Sequence, residues 1–186
     1  MRWDDTLEGI ETTLWDALAR GVGDPRAAAR RPALATIGAD GGPEARIVVL
    51  RGVDRARGIC TFYTDSASTK VSELAADPRA AMHIWEHGLK LQTRLRGPCT
   101  RANDAQEDAA WAAEPDMSLG NYGVTPAPGT PIDAFDAFER IPARARFAVM
   151  HLEVRQIDAV ILADDIHRRA QYRRTDTGWE RGWLAP

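Results

Sequence analysis

Lysine is nearly missing from this chain: Lys70 and Lys90 are its only two, so 22 of its 24 basic residues are arginine. The 27 acidic residues leave a formal net charge of -3, with a pI near 5.8. That balance gives no overall attraction to nucleic acid or to an acidic membrane surface, and a small-molecule partner is expected instead. Cysteine is equally scarce. Cys60 and Cys99 lie in β-rich segments without CxxC or Cys/His spacing, and they read as buried free thiols. His83, His87, His151 and His167 are scattered, so no metal site is expected. Apolar runs such as Ala159 to Ala163 are far too short to cross a bilayer. The opening Met1-Arg2-Trp3-Asp4-Asp5 lacks the apolar run of a signal peptide, which sets the expectation of a cytoplasmic protein. No glycine-rich dinucleotide fingerprint or nucleophile elbow occurs.

What is present is a globular composition, 44% hydrophobic and 27% charged, with 15 Gly and 11 Pro marking many turns. A length of 186 residues suits a single domain over 1–186 with one core. Leu7, Ile10, Leu14 and Leu18 have the spacing of an amphipathic helix over 4–20, closed by Gly21, Gly23 and Pro25. Residues 33–37 read as a strand, Asp40-Gly41 as a tight hairpin turn, and 45–51 as the returning strand, apolar on both faces and therefore central. A third β-rich run covers 59–64, and a short helix 69–76 follows with Ser68 at its N-cap, ended by Asp77-Pro78. Residues 80–85 and 90–97 form a second hairpin across Glu86-His87-Gly88.

Residues 103–113 are helical by composition, whereas 114–131 is rich in proline and glycine and reads as a long ordered loop or lid. A short helix over 133–140 and closing strands over 147–154, 159–162 and 167–174 complete the pattern. Many short strands with few helices predict a mainly β fold, an antiparallel barrel with helices on its flank.

Three segments carry the chemistry. In Arg46-Ile47-Val48-Val49-Leu50-Arg51 two guanidinium groups bracket an apolar strand. Such groups grip phosphate through paired hydrogen bonds, but two solvent-facing strand ends fit the pattern as well, and period-two geometry places Arg46 and Arg51 on opposite faces unless a bulge intervenes, so they need not share one ligand. In Phe62-Tyr63-Thr64-Asp65-Ser66-Ala67-Ser68-Thr69-Lys70 hydroxyls, a lysine and free amides converge at a helix start, as in a phosphate site or in ordinary capping. The third, Leu91-Gln92-Thr93-Arg94-Leu95-Arg96-Gly97, alternates like a half-exposed strand.

In this order and spacing the three segments resemble the FMN-binding core of the pyridoxamine 5'-phosphate oxidase family, whose fold is an antiparallel split β-barrel. The resemblance implies that Arg46 opens the phosphate-binding strand and that Ile47, Val48 and Val49 approach the flavin through their backbone, with Arg51 closing the strand. Tyr63 and Thr64 match the family's Tyr-Thr pair beside the cofactor. Ser68, Thr69 and Lys70 stand at its Ser-Arg-Lys motif, Thr69 replacing the arginine. Gln92 matches a glutamine that reaches the isoalloxazine ring. His167-Arg168-Arg169 followed by Tyr172 resembles the closing strand, where the position of Arg169 touches FMN.

The departures are informative. Ala159-Val160 occupy the stretch where the family has a tryptophan packed on the flavin. Glu114 and Asp165-Ile166-His167 stand where the oxidase clamps its substrate's phosphate with arginines, and carboxylates there would repel a phosphate dianion. The resemblance therefore implies an FMN-dependent oxidoreductase, a homodimer with FMN at the subunit interface, that does not oxidise pyridoxamine phosphate. A flavin-binding sensor or store without turnover, or a related barrel holding a deazaflavin or haem, are the alternatives.

Overall fold

A computed structural model of the protein describes residues 2–186. The chain runs through α1 (Leu7–Gly23), β1 (Ala33–Ile37), β2 (Pro43–Ile47), β3 (Leu50–Asp54), β4 (Ile59–Asp65), α2 (Thr69–Ala76), β5 (Arg79–Glu86), β6 (Leu91–Arg101) and α3 (Asp104–Ala113). It continues through α4 (Asp116–Leu119), β7 (Val124–Thr125), β8 (Glu139–Arg140), β9 (Phe147–Glu153), β10 (Gln156–Ile161), β11 (Arg168–Thr175) and β12 (Gly178–Leu184). The architecture is a mainly antiparallel sheet with flanking helices.

Thr6 starts α1 by accepting from Gly9 N with its hydroxyl, at 3.0 Å, and the expected stripe of Ile10, Leu14 and Leu18 is buried. Strands β4 and β5 alternate buried and open positions as period two requires. β9 is buried along nearly its whole length because α3 covers its outer face, where buried Glu107 accepts from Val149 N at 3.1 Å. Cys60 and Cys99 are free thiols in the core, and burial pushes both up to about 12.

The long strand β6 organises the sheet. Its first part pairs with β5 and β10, and its end, Cys99 to Arg101, pairs with β9. Three arms leave it: β10, β11 and β12; β5, β1 and β2; and, from its end, β9, β4 and β3. The last two meet again only through the chain itself, because β2 runs into β3 across Val48 and Val49 without pairing to it. Where β6 crosses the turn between β9 and β10, Arg155 N donates to Arg96 O at 2.8 Å. A side chain cannot fit there: a Cβ on Gly97 would lie 1.8 Å from Glu153 O.

Three expectations are corrected. The run 45–51 is not one central strand: β2 lies at the end of its sheet with mostly exposed residues, and β3 pairs with β4 alone. Val48 and Leu50 both point into the core and hold the chain there while its hydrogen-bond partner changes. Residues 133–140 form turns ending in β8 instead of a helix; Phe135 and Phe138 are exposed at 90% and 42%, so no core face was there to stabilise one. The loop 114–131 contains α4 and β7, the latter paired with β8. Strand β12, which pairs with β11, has mostly exposed positions and no alternation to announce it.

The crossing at Gly97 generates a test. Gly97→Ala should cost about 2–4 kcal/mol, since backbone must move, whereas Gly88→Ala, with nothing within 4 Å of the added carbon, should stay within about 0.5 kcal/mol. Chemical denaturation of the two variants checks the difference.

Candidate functional site

The parting of β2 from β3 leaves an open cleft of about 310 Å³ whose walls include Ile47, Val48, Val49, Arg51, Tyr63, Thr64, Ser68 and Lys70. The returning chain is irregular here, in no strand at Val48 and Val49 and shifted in register between Leu50 and Gly52, and Ile47, Val49 and Arg51 all line the cleft. A larger groove of about 570 Å³, around Arg57, His151 and Arg174, holds none of the expected residues.

At the start of α2, Ser68 takes the N-cap place without capping by its side chain. Its hydroxyl donates to Asp65 O at 2.7 Å and lies 3.2 Å from Thr64 Oγ1. The positive end of the helix therefore stays open to an anion. Lys70 Nζ donates to Thr64 Oγ1 at 3.1 Å. Burial lowers the Lys70 pKa, and the nearby charge of Arg46 lowers it further. A half-buried ammonium with a hydroxyl as its hydrogen-bond partner is suited to a phosphate, so the residues present fit the phosphate end of FMN.

Arg46 is not on the cleft wall. Its guanidinium donates to Thr36 Oγ1 and, at 2.8 Å, to Glu73 Oε2, behind Lys70. Arg51, which stands in the register shift between Leu50 and Gly52, lies in the cleft, 2.8 Å from Glu114 Oε1 and 5.8 Å over the Tyr63 ring. Tyr63 also packs edge-on against Phe147 at 5.0 Å, and Phe147 in turn meets Tyr122 at 4.8 Å and Trp111 at 5.4 Å. Burial, and then the negative charge of Glu114, raise the phenol pKa of both Tyr63 and Tyr122. Thr69 is exposed and does not line the cleft.

Gln92 and Arg169 lie elsewhere. They share one row across the sheet, Trp85, Gln92, Val160 and Arg169, on β5, β6, β10 and β11. Three strand spacings of about 4.8 Å, roughly 14 Å, separate Gln92 on β6 from Ile47 on β2. Arg169 is held by Asp158 at 2.8 Å, which Arg94 also reaches at 2.7 Å. Asp165 and His167 sit on the turn before β11, where the bonded Arg168 guanidinium holds the Asp165 carboxyl well below the usual carboxylate range.

Residues that sequence reasoning passed over complete the wall. Asn121, Tyr122 and Pro128 come from the proline- and glycine-rich stretch, where an aromatic among polar residues was the available signal. Asp65 anchors that stretch: it accepts from Ala67 N at 2.8 Å, Gly123 N at 2.9 Å and Arg146 Nε at 2.9 Å.

A model of the "Pyridoxamine 5'-phosphate oxidase, FMN-binding domain" matches residues 12–103. A pyridoxine/pyridoxamine 5'-phosphate oxidase of Anaeromyxobacter dehalogenans is 32% identical over 184 residues, 92% of this chain and 92% of that protein. One from Nitrobacter winogradskyi is 39% identical over 143 residues, 75% of this chain and 63% of the relative. The chain spans only 51% to 63% of the length of several such relatives. Among solved structures, a pyridoxamine 5'-phosphate oxidase-related, FMN binding protein from Nostoc punctiforme is 26% identical, with a TM-score of 0.74 over 94% of this chain and 96% of that one.

Asp65→Ala should cost about 2–4 kcal/mol, because a buried amide and a guanidinium lose their acceptor. Limited proteolysis should show faster cutting within 121–146, with no matching change in Lys70→Met.

Proposed function

This chain belongs to the pyridoxamine 5'-phosphate oxidase family, and on that premise we propose that it is an FMN-dependent oxidoreductase acting as a homodimer on a small molecule. The observation that carries the reading is the cleft where Tyr63, Thr64, Ser68 and Lys70 converge on the open end of α2. FMN, when bound, supplies the redox chemistry. Lys70 and the first amides of α2 hold its phosphate, and Ile47, Val48 and Val49 line the approach, while Arg46, paired with Glu73, stands outside the cleft. The aromatic group of Tyr63, Tyr122 and Phe147 keeps the far wall dry.

The second copy accounts for Gln92 and Arg169. They lie too far across the sheet to share this cleft within one chain, and a two-fold partner delivers them to it. Ile47, Trp85 and Leu184 are exposed at 60%, 39% and 39%, on the same sheet as Gln92, and such apolar surface is suited to burial against a copy. The surface measures 10297 Å², against about 8,800 Å² for a compact monomer of 20.5 kDa. The long excursion over 114–143 contributes to that excess.

The rival reading is a flavin-binding protein without turnover, favoured by Val160 standing between Gln92 and Arg169 where a ring-packing aromatic would otherwise sit. No helix among the described residues is long and apolar enough to cross a membrane.

The protein as isolated should be yellow, should take up FMN on titration and should scatter light as a dimer at micromolar concentration. Lys70→Met should weaken FMN binding about 10- to 100-fold, the worth of one charge-assisted bond, without a matching loss of stability. A colourless protein that quenches no flavin fluorescence on titration overturns the reading. Bound flavin that neither NAD(P)H nor any reduced substrate bleaches under anaerobic conditions selects the non-catalytic one.

A further inference from the structure

The two cations of the cleft differ in what faces them. Lys70 Nζ meets a hydroxyl, Thr64 Oγ1 at 3.1 Å, and has no ion pair among the described residues. Arg51 Nη2 meets a carboxylate, Glu114 Oε1 at 2.8 Å, and the two side chains are 21% and 6% exposed. Glu114 directly follows α3, where its N–H donates to Trp111 O, so the end of that helix sets the carboxylate behind the cleft wall. Its Oε1 is buried, and although close to Arg51 it accepts no hydrogen bond, so the two are paired by charge and not by a directed bond. Buried within reach of Tyr63 and Tyr122, that charge is poorly screened; it raises both phenols, while Arg51 opposes it.

We propose that Glu114 is the specificity-determining residue of this cleft: by cancelling the charge of Arg51 from behind, it closes the Arg51 side to phosphate and reserves it for an uncharged, unphosphorylated planar molecule. The proposal rests on the reading that the Lys70 side holds the phosphate of FMN. An arginine offers an anion a forked pair of donors, and its value to that anion depends on its positive charge being available. Here a carboxylate 2.8 Å away offsets that charge. A phosphate arriving beside Arg51 would meet an ion pair in place of a free guanidinium, with the negative Glu114 close behind it; the nearby Arg30 guanidinium is itself turned to backbone, donating to Val22 O at 2.6 Å and Leu50 O at 3.2 Å. A neutral planar ring meets Val49, the Tyr63 and Tyr122 rings and the flat guanidinium face, all of which suit it. Glu114 lines no part of the cleft itself, so it is a positioning residue that acts through Arg51.

The experiment reads inorganic phosphate binding, by phosphorus NMR line broadening and calorimetry, after FMN affinity has been measured by quenching of flavin fluorescence. FMN-loaded wild type should bind no phosphate up to 10-fold above the concentration that half-saturates FMN-loaded Glu114→Gln. FMN affinity should change less than about 3-fold in that variant, because the Lys70 side is untouched. The double variant R51Q/E114Q should lose the new phosphate site. FMN-loaded Lys70→Met, its α2 end filled by the cofactor, should bind no phosphate, since Arg51 is already paired; this arm holds even if Glu114→Gln does not fold. Phosphate binding to FMN-loaded wild type as tight as to Glu114→Gln, or a site in FMN-loaded Lys70→Met, overturns the inference. Wild type that takes up no FMN fails the functional reading instead, and the two failures are read from different titrations.

Discussion

Asp65, at the end of β4, accepts at once from Ala67 N, Gly123 N and Arg146, and these bonds fix the turn into α2, the loop after α4 and the entry to β9 relative to one another. The carboxylate is 5% exposed. A buried carboxylate so fully paired is costly to disturb, because removing it leaves a guanidinium and an inward-facing amide without an acceptor. The position of Lys70 follows from this anchor, since α2 starts from the same turn. So does the wall formed by Asn121 and Tyr122, which would otherwise be a free excursion. One side chain thus connects the sheet, which is rigid, to the loop that encloses the cleft.

The same pairing logic runs through the molecule and explains what is left unpaired. Arg46 is held by Glu73, Arg51 by Glu114, Arg101 by Glu107, Arg146 by Asp65 and Arg169 by Asp158. The forked, permanently charged guanidinium suits these partly buried carboxylate sites better than an ammonium does. In a chain with only two lysines, Lys90 pairs with Asp164 on the surface. Lys70 is the cation set in a half-buried wall beside hydroxyls instead, and that contrast makes its side of the cleft the one suited to an anion.

Much of the fold was legible in the residues because local patterns are short-range consequences of burial. The stripe of α1, the alternation of β4 and β5, the Asp40-Gly41 turn, with Gly41 at φ +82, and the start of α2 after Ser68 all lie where the pattern put them. The failures have a shared cause. Ile47 to Leu50 is apolar enough to read as one buried strand, but which neighbour supplies its hydrogen bonds is a long-range matter, and the change from β1 to β4 leaves no local mark. Likewise the apolar residues of 133–140 suggest a helix only if a core face exists for them, and none is near.

For the site, the residues alone brought forward the chemical types, hydroxyls, a lysine and an aromatic around a helix start, because those lie within a few positions of one another along the chain. Whether a guanidinium is available or cancelled depends on a partner far away in sequence. Arg46 is engaged by Glu73 and Arg51 by Glu114 across packed elements, and only the folded chain decides that. The separation of Gln92 and Arg169 from Lys70 is of the same kind, set by strand order and not by spacing. Local sequence determined the elements and the chemistry available to them; tertiary packing decided which charges face the cleft, because electrostatic pairing is a property of distance in space.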